Sequence, residues 1–217
     1  MRFITLGLVL VGCGNPVDVD PEVASEVPVN LADDLPDGYP EDVLTVACGE
    51  GTLEDEDLDY NYCHARAYVR QPILDVIAAA LEPRVAVDYC NSDYTTVKTD
   101  VDPDADWSLE IHHIARSDLA DIEYDVRWVC GILEEAQGTP TVILCNFGML
   151  EGQALFPYME GSFALLAVEG ETDIVEWQYI ENLQAPTTTT QTIEDKSRAL
   201  YADMQAFLRG EPYPECP

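Results

Sequence analysis

An acidic loop at residues 100–106 holds the densest set of side chains that could bind a metal ion. Four carboxylates occupy alternate positions there, namely Asp100, Asp102, Asp104 and Asp106. Carboxylate oxygens are the ligands that Ca²⁺ prefers, and a curled loop can bring such a set onto one cation. Ala105, however, stands where a calcium-binding loop of this spacing needs a glycine. Two interpretations stay open, a calcium site and a solvated acidic turn, and the turn is favoured.

The sequence motifs of common enzyme classes are missing from this chain. It has three histidines and no His-Glu-x-x-His, Gly-x-Ser-x-Gly or Ser-x-x-Lys pattern, which removes the zincin and serine-hydrolase signatures. Cys63 and His64 are neighbours, so a strand would point them to opposite faces. His113 falls on an apolar strand face and is interpreted as a core residue. We predict no catalytic residues and no cofactor, apart from the calcium option.

The first thirteen residues have the layout of an export signal. Arg2 is followed by a hydrophobic run from Phe3 to Val11, which is too short to span a membrane. The order Leu10-Val11-Gly12-Cys13 resembles the lipobox of bacterial lipoproteins. That resemblance implies cleavage after residue 12, a lipid on Cys13 and attachment to a membrane. An ordinary signal peptide with a chance cysteine is the alternative.

Seven cysteines are present, and six remain if Cys13 carries lipid. An even number in an exported chain indicates three disulfides. The six are Cys48, Cys63, Cys90, Cys130, Cys145 and Cys216.

The hairpin register predicts one disulfide directly. Folding two strands about Gln137-Gly138 opposes residues whose numbers add to 275, which places Cys130 opposite Cys145. Directly opposed residues have Cβ atoms close to the distance that a disulfide needs. The alternative is that both cysteines point into the core as neighbours and bond elsewhere or stay reduced. A similar hairpin across residues 54–57 pairs Cys48 with Cys63, and elimination leaves Cys90 with Cys216. The same register opposes apolar residues on one face: Trp128 with Phe147, Ile132 with Ile143, and Val126 with Met149.

Hydrophobic periodicity predicts an α+β domain. A proline-led helix begins at Pro72, and a C-terminal amphipathic helix spans 193–209 with Thr192 as its N-cap. Alternating patterns and short turns predict an antiparallel meander that the last helix covers. The predicted strands are 43–47, 59–70, 84–90, 107–113, 122–134, 141–149, 162–168 and 174–180.

The charge distribution divides the chain into an acidic tether and a domain. The formal charge is -32, and removing residues 1–12 deletes Arg2 and no acid, which gives -33. Such a charge repels nucleic acid and anionic lipid. The charge is also typical of proteins from a salty habitat, where acidic surfaces with few lysines keep proteins soluble. Lys98 and Lys196 are the only lysines in this chain. Residues 13–42 contain five prolines and no base, so they predict an extended tether, followed by a single domain over 43–217.

Two stretches of the domain resemble the helix-grip fold of the START and Bet v 1-like superfamily. Residues 68–77 resemble its first strand running into a proline-led helix, and Ser162 to Ile180 with the helix 193–209 resembles its last hairpin and gripping helix. A cystatin-like sheet-and-helix domain is the alternative. The resemblance implies a cavity for a hydrophobic small molecule or lipid, with this candidate lining: Trp128, Phe147, Trp177, Tyr179, Met204 and Phe207. A solid core made of the same side chains is the competing interpretation.

The sequence therefore predicts an exported, lipid-anchored protein with two functional hypotheses. The first is binding of a hydrophobic ligand between sheet and helix. The second is an acidic structural or protein-interaction module of the cell envelope, without a cavity. Gly14, rather than aspartate, follows Cys13, and the lipoprotein resemblance then favours the outer membrane or the cell surface.

Overall fold

One antiparallel sheet makes up most of the domain. The computed structural model describes residues 16–87, 92–115, 121–153, 155–185 and 188–215. Within these ranges eight strands pair in the order β1-β2-β8-β7-β6-β5-β4-β3. The strands are β1 Leu44–Leu53, β2 Leu58–Val69, β3 Ser92–Thr99, β4 Trp107–Ala115, β5 Ile122–Ala136, β6 Thr139–Met149, β7 Tyr158–Ala167 and β8 Val175–Gln184. The predicted meander is thereby confirmed.

Within the described ranges, three helices pack on one face of this sheet or on each other; we call this face the concave face and the opposite one the convex face. They are α1 Ile73–Ala80, α2 Pro83–Ala86 and α3 Thr190–Arg209. The last helix, α3, packs on β1, β2 and β8, while α1 packs on β6, β7 and α3. The sheet and the final helix thus enclose one hydrophobic core, because the alternate residues of each strand point into the space between them.

The C-terminal helix begins three residues earlier than its sequence pattern predicted. Thr189, not Thr192, is the N-cap, and its hydroxyl accepts a hydrogen bond from the Thr192 backbone N–H. The Thr192 side chain in turn accepts from the Thr189 backbone, which completes a capping box. Gly210, at φ 64°, ends the helix in the left-handed conformation that glycine adopts without strain.

Two other elements differ from the sequence predictions. The predicted strand at 84–90 is wrong over its described part, since Pro83 to Ala86 form α2 with proline at the first turn. Val85 and Ala86 are buried there, so the apolar residues that suggested a strand pack from a helical turn instead. The edge strand β3 was not predicted, because almost all of its side chains are exposed and show no alternation.

Both hairpin disulfides form as the register predicted. Cys130 pairs with Cys145 and Cys48 pairs with Cys63, with Cα atoms 4.0 and 4.1 Å apart. Across β5 and β6, Trp128 opposes Phe147. Cys90 and Cys216 lie outside the described residues, so their pairing stays a prediction.

Residues 16–42 form an extended segment that we call the N-terminal strap. Its first part lies on the convex face of the sheet, where the Val19 backbone N–H donates to the Met149 carbonyl at 2.8 Å. Two glycines make room for it: a Cβ on Gly148 would lie 2.3 Å from Val19 Cγ1, and one on Gly131 would lie 2.6 Å from Val23 Cγ1.

The later part of the strap is fixed to β2 and its neighbours. The Leu31 backbone N–H donates to His64 Nδ1 at 2.9 Å, and the Asn30 amide donates to the Ala65 carbonyl at 3.1 Å. Asp34 pairs with Arg66 at 2.8 Å. The prediction of an extended, self-repelling tether over 13–42 is therefore corrected for its described part. The strap is extended, but backbone hydrogen bonds and ion pairs hold it against the domain.

Candidate functional site

A row of stacked aromatic rings crosses the interior between the sheet and helix α3. Trp128 stacks on Phe147 with ring centroids 4.2 Å apart, and Phe147 stacks on Tyr179 at 5.8 Å. Tyr179 stacks on Trp177 at 5.6 Å, and Trp177 meets Tyr201 of α3 at 5.5 Å. We call these five residues the aromatic ladder. It joins strands β5, β6 and β8 to the final helix, so it occupies the place where the sequence predicted a cavity.

Five of the six predicted lining residues meet in this interior, and one does not. Trp177 and Met204 have no exposed surface, and Trp128, Phe147 and Tyr179 keep at most 3%. Phe207 is 40% exposed, so its assignment to the lining is wrong. It lies in the last turn of α3, on a side of the helix that does not face the core.

The ladder is packed as a core. Trp177 and Met204 have no exposed surface. Neither side chain therefore borders a space wide enough to hold a water molecule. The packing is also tight at Gly161, where an added Cβ would lie 2.3 Å from Phe147 Cζ. Open pockets formed by described residues lie elsewhere, for example one of about 360 Å³ between the strap and the convex face. A ligand that takes the place of the ladder therefore has to displace side chains.

Three polar atoms in this interior have no hydrogen-bond partner among the described residues. They are the indole Nε1 atoms of Trp128 and Trp177 and the Nε2 atom of His113. Most buried polar groups in proteins are paired, since an unpaired one costs about 1–3 kcal/mol. These atoms could donate to, or accept from, a polar group that enters the space between sheet and helix.

A buried ion pair also lies in this interior. Glu181 of β8 has no exposed surface and pairs with Lys196 of α3, and the Tyr179 hydroxyl donates to Glu181 Oε2 at 3.0 Å. This pair was not predicted from the sequence. Glu181 does follow Trp177 and Tyr179 at alternate positions, so the strand pattern already placed a carboxylate on the apolar face.

His113 of β4 is buried in the same interior. Its ring stacks on Tyr124 at 4.9 Å, and Tyr124 stacks on Phe156 at 4.8 Å. Burial lowers the pKa of His113 to about 3, and the charge of Lys196 acts in the same direction. The imidazole is therefore neutral at physiological pH. This agrees with the sequence interpretation of a core histidine, except that Nε2 has no partner.

The pKa of His113 predicts a pH dependence of stability. Because the folded pKa is depressed, the unfolded state binds more protons, and stability is lost as the pH falls from about 6.5 towards 3. The loss is at most about 1.4 kcal/mol per pH unit. His113→Phe is expected to flatten this slope between pH 6.5 and 5, measured by urea unfolding. His112→Gln, at a half-buried ring that contacts Asp125, is the comparison variant, and an unchanged slope in the His113 variant would contradict the assignment.

The acidic loop does not gather its carboxylates around one point. Asp102 Oδ1 accepts a hydrogen bond from the Asp104 backbone at 2.9 Å, and Asp106 Oδ2 accepts from the Ile132 backbone at 2.7 Å. No cluster of three metal-binding side chains occurs within the described ranges. The calcium interpretation of Asp100, Asp102, Asp104 and Asp106 is therefore corrected to a turn stabilised by its own carboxylates.

Solved structures share this architecture. No protein-family model matches the sequence, and no curated protein matches it. A STAR-related lipid transfer protein from Xanthomonas axonopodis is 10% identical, with 82% of this chain and 97% of that chain covered and a TM-score of 0.51. Human StAR-related lipid transfer protein 5 is 9% identical over 82% of this chain and 86% of that chain, with a TM-score of 0.52. The chain has the helix-grip fold. In that fold, the interior described above is the space between the sheet and the gripping helix.

Proposed function

We propose that this protein is exported, lipid-anchored through Cys13, and binds a hydrophobic small molecule or lipid inside its helix-grip domain. The observation that carries the proposal is the set of unpaired polar atoms on the buried aromatic face: Trp128 Nε1, Trp177 Nε1 and His113 Nε2. A core that served packing alone would gain nothing from them. A ligand with an apolar body and a few polar atoms would pair these groups while staying out of water.

The likeness to lipid transfer proteins adds support at the level of fold. Those proteins are named for lipid transfer, and identities of 9–10% carry only the architecture to this chain. Ligand entry has to open the interior, because the ladder residues are almost fully buried. Binding should therefore disturb the stacking of Trp177 on Tyr179 and change the near-ultraviolet circular dichroism.

The ligand proposal is tested with a neutral lipid and a conservative variant. Monooleoylglycerol, titrated into delipidated protein, is expected to change the near-ultraviolet signal. Trp177→Phe keeps a buried ring but removes the N–H donor, so affinity should fall by roughly tenfold, equivalent to about 1.4 kcal/mol. Trp107→Phe, at a half-buried indole on β4, should bind like the wild type. Equal affinity of all three proteins would contradict a role for the unpaired indole.

The second candidate is an acidic structural or interaction module without a ligand. The solid packing of Trp177 and Met204 favours it. If no neutral lipid binds and the interior stays closed, this candidate replaces the first.

The membrane attachment has its own test. Cys13→Ser should abolish attachment, since a serine hydroxyl cannot form the thioether that holds the lipid. Detergent-phase partitioning of the protein expressed in a bacterium measures this. The helices in the described ranges lack the length and apolarity to cross a bilayer. Wild-type protein that stays entirely in the aqueous phase would exclude the anchor.

A further inference from the structure

The N-terminal strap begins at one end of the sheet, against the loop between β6 and β7. The Val17 backbone N–H donates to the Pro157 carbonyl at 2.8 Å, and Asp18 Oδ1 accepts from the Gly152 backbone at 2.9 Å. An added Cβ on Gly152 would lie 2.7 Å from Pro16 Cβ. The first described residue of the strap is therefore in contact with loop 150–157.

The strand directions show which end of the domain this is. Loop 150–157 follows the end of β6 and precedes the start of β7, whereas residues 168–174 join the far end of β7 to β8. With 10 residues in β7, the two ends lie about 33 Å apart. The end of the domain beside Gly152 and Pro157 is therefore near an anchor attached close to Pro16, and the end at residues 168–174 is far from it.

The chain between the lipid-bearing cysteine and the docked strap is short. Three peptide steps separate Cys13 from Pro16, and they span at most about 10 Å. We propose that the bilayer holding the Cys13 lipid lies against this end of the sheet, with residues 150–153 and 155–157 facing the membrane surface. This rests on the proposed anchor. The same chain with its strap released would reach roughly 90 Å further, so docking of the strap decides how closely the domain sits on the bilayer.

The surface at this end carries one exposed apolar side chain and a group of carboxylates. Leu155 is 40% exposed at the loop, and the neighbouring Phe156 packs inward on Tyr124. Asp18, Asp20 and the acidic turn at 54–56 line a pocket of about 480 Å³ at the same end. Carboxylates so placed repel an anionic surface over about one Debye length. The occupant is therefore a bilayer of low surface charge, and added anionic lipid should weaken the contact.

The test uses lipidated protein reconstituted into phosphatidylcholine vesicles with nitroxide on the lipid headgroup. Leu155→Trp places a fluorophore at the near end, and Thr172→Trp places one at an exposed position at the far end. The signal of the unmodified protein is subtracted from each. The short-range quencher should reduce the fluorescence of the added Trp at 155 and leave that at 172 unchanged. Val17→Pro with Val19→Pro removes two backbone donors of the strap and should abolish the quenching at 155 without releasing the protein.

The possible results distinguish two claims: that this end of the domain lies against the bilayer (the apposition), and that a lipid on Cys13 anchors the protein. Vesicle-bound protein without quenching at 155, or with equal quenching at both positions, overturns the apposition while the anchor stands. Quenching at 155 that survives the double proline variant overturns the role of the strap. Wild-type protein that fails to bind vesicles overturns the anchor and the apposition together. The Cys13→Ser protein should show neither binding nor quenching.

Discussion

Lys196→Met should lower the free energy of unfolding by about 3–5 kcal/mol, because it leaves a buried carboxylate without its cation. Glu181 has no exposed surface, and its two described partners are Lys196 and the Tyr179 hydroxyl. A buried charge costs far more alone than in a pair. Urea unfolding at neutral pH measures the effect.

Two further variants distinguish the buried charge from a simple loss of helix contacts. Removing both charges in Glu181→Gln with Lys196→Met should recover most of the lost stability, since replacing a whole buried pair is often neutral. Arg198→Met breaks an i,i+4 pair with Glu194 on the outer side of the same helix, which is expected to cost about 0–1 kcal/mol. If Lys196→Met were as mild as Arg198→Met, the carboxylate would not be held as described.

Gly161→Ala should destabilise the domain by about 3 kcal/mol or more, an overpacking effect at the upper end of the usual range. The added Cβ would lie 2.2 Å from the Ile180 carbonyl oxygen and 2.3 Å from Phe147 Cζ. The first contact is with backbone, which cannot rotate away, and the second is with a ring of the aromatic ladder.

Gly131→Ala is the matched control for that variant. Its Cβ would meet the side chain of Val23 in the strap at 2.6 Å, and that side chain can move because Val23 is itself 39% exposed. Its expected cost is below about 1 kcal/mol. Equal unfolding free energies for the two alanine variants would mean that the sheet around Phe147 adapts, and that the interior is looser than its burial indicates.

The sheet was predictable because its signals are local. Cys130, Trp128 and their partners on β6 alternate on either side of a short turn, so register and burial pattern reinforce each other. The helix-grip order followed from that meander and the final amphipathic helix. The start of α3 was less certain from sequence, because several threonines near residue 190 can each cap a helix.

Other features depend on distant partners and could not be predicted. Glu181 is buried because Lys196 reaches it from a different element. The strap contacts the sheet through the backbone hydrogen bonds of Val17 and Val19 and through the ion pairs of Asp34 with Arg66 and Asp20 with Arg127. Its composition alone indicates self-repulsion. In the acidic loop, the spacing of the carboxylates suits a cation. The side chains of Asp102 and Asp106 instead accept hydrogen bonds from backbone N–H groups.

The most direct test of the central claim is native mass spectrometry of the protein released from the membranes of the cells that express it. The Cys13→Ser form is used beside the wild type, so that the anchor and a bound ligand are not confused. We expect to detect a hydrophobic molecule that stays bound to the folded domain, is lost on unfolding, and is less abundant in Trp177→Phe. A folded domain that carries no non-covalent ligand in any preparation, and that also fails to take up neutral lipid, would contradict the ligand claim.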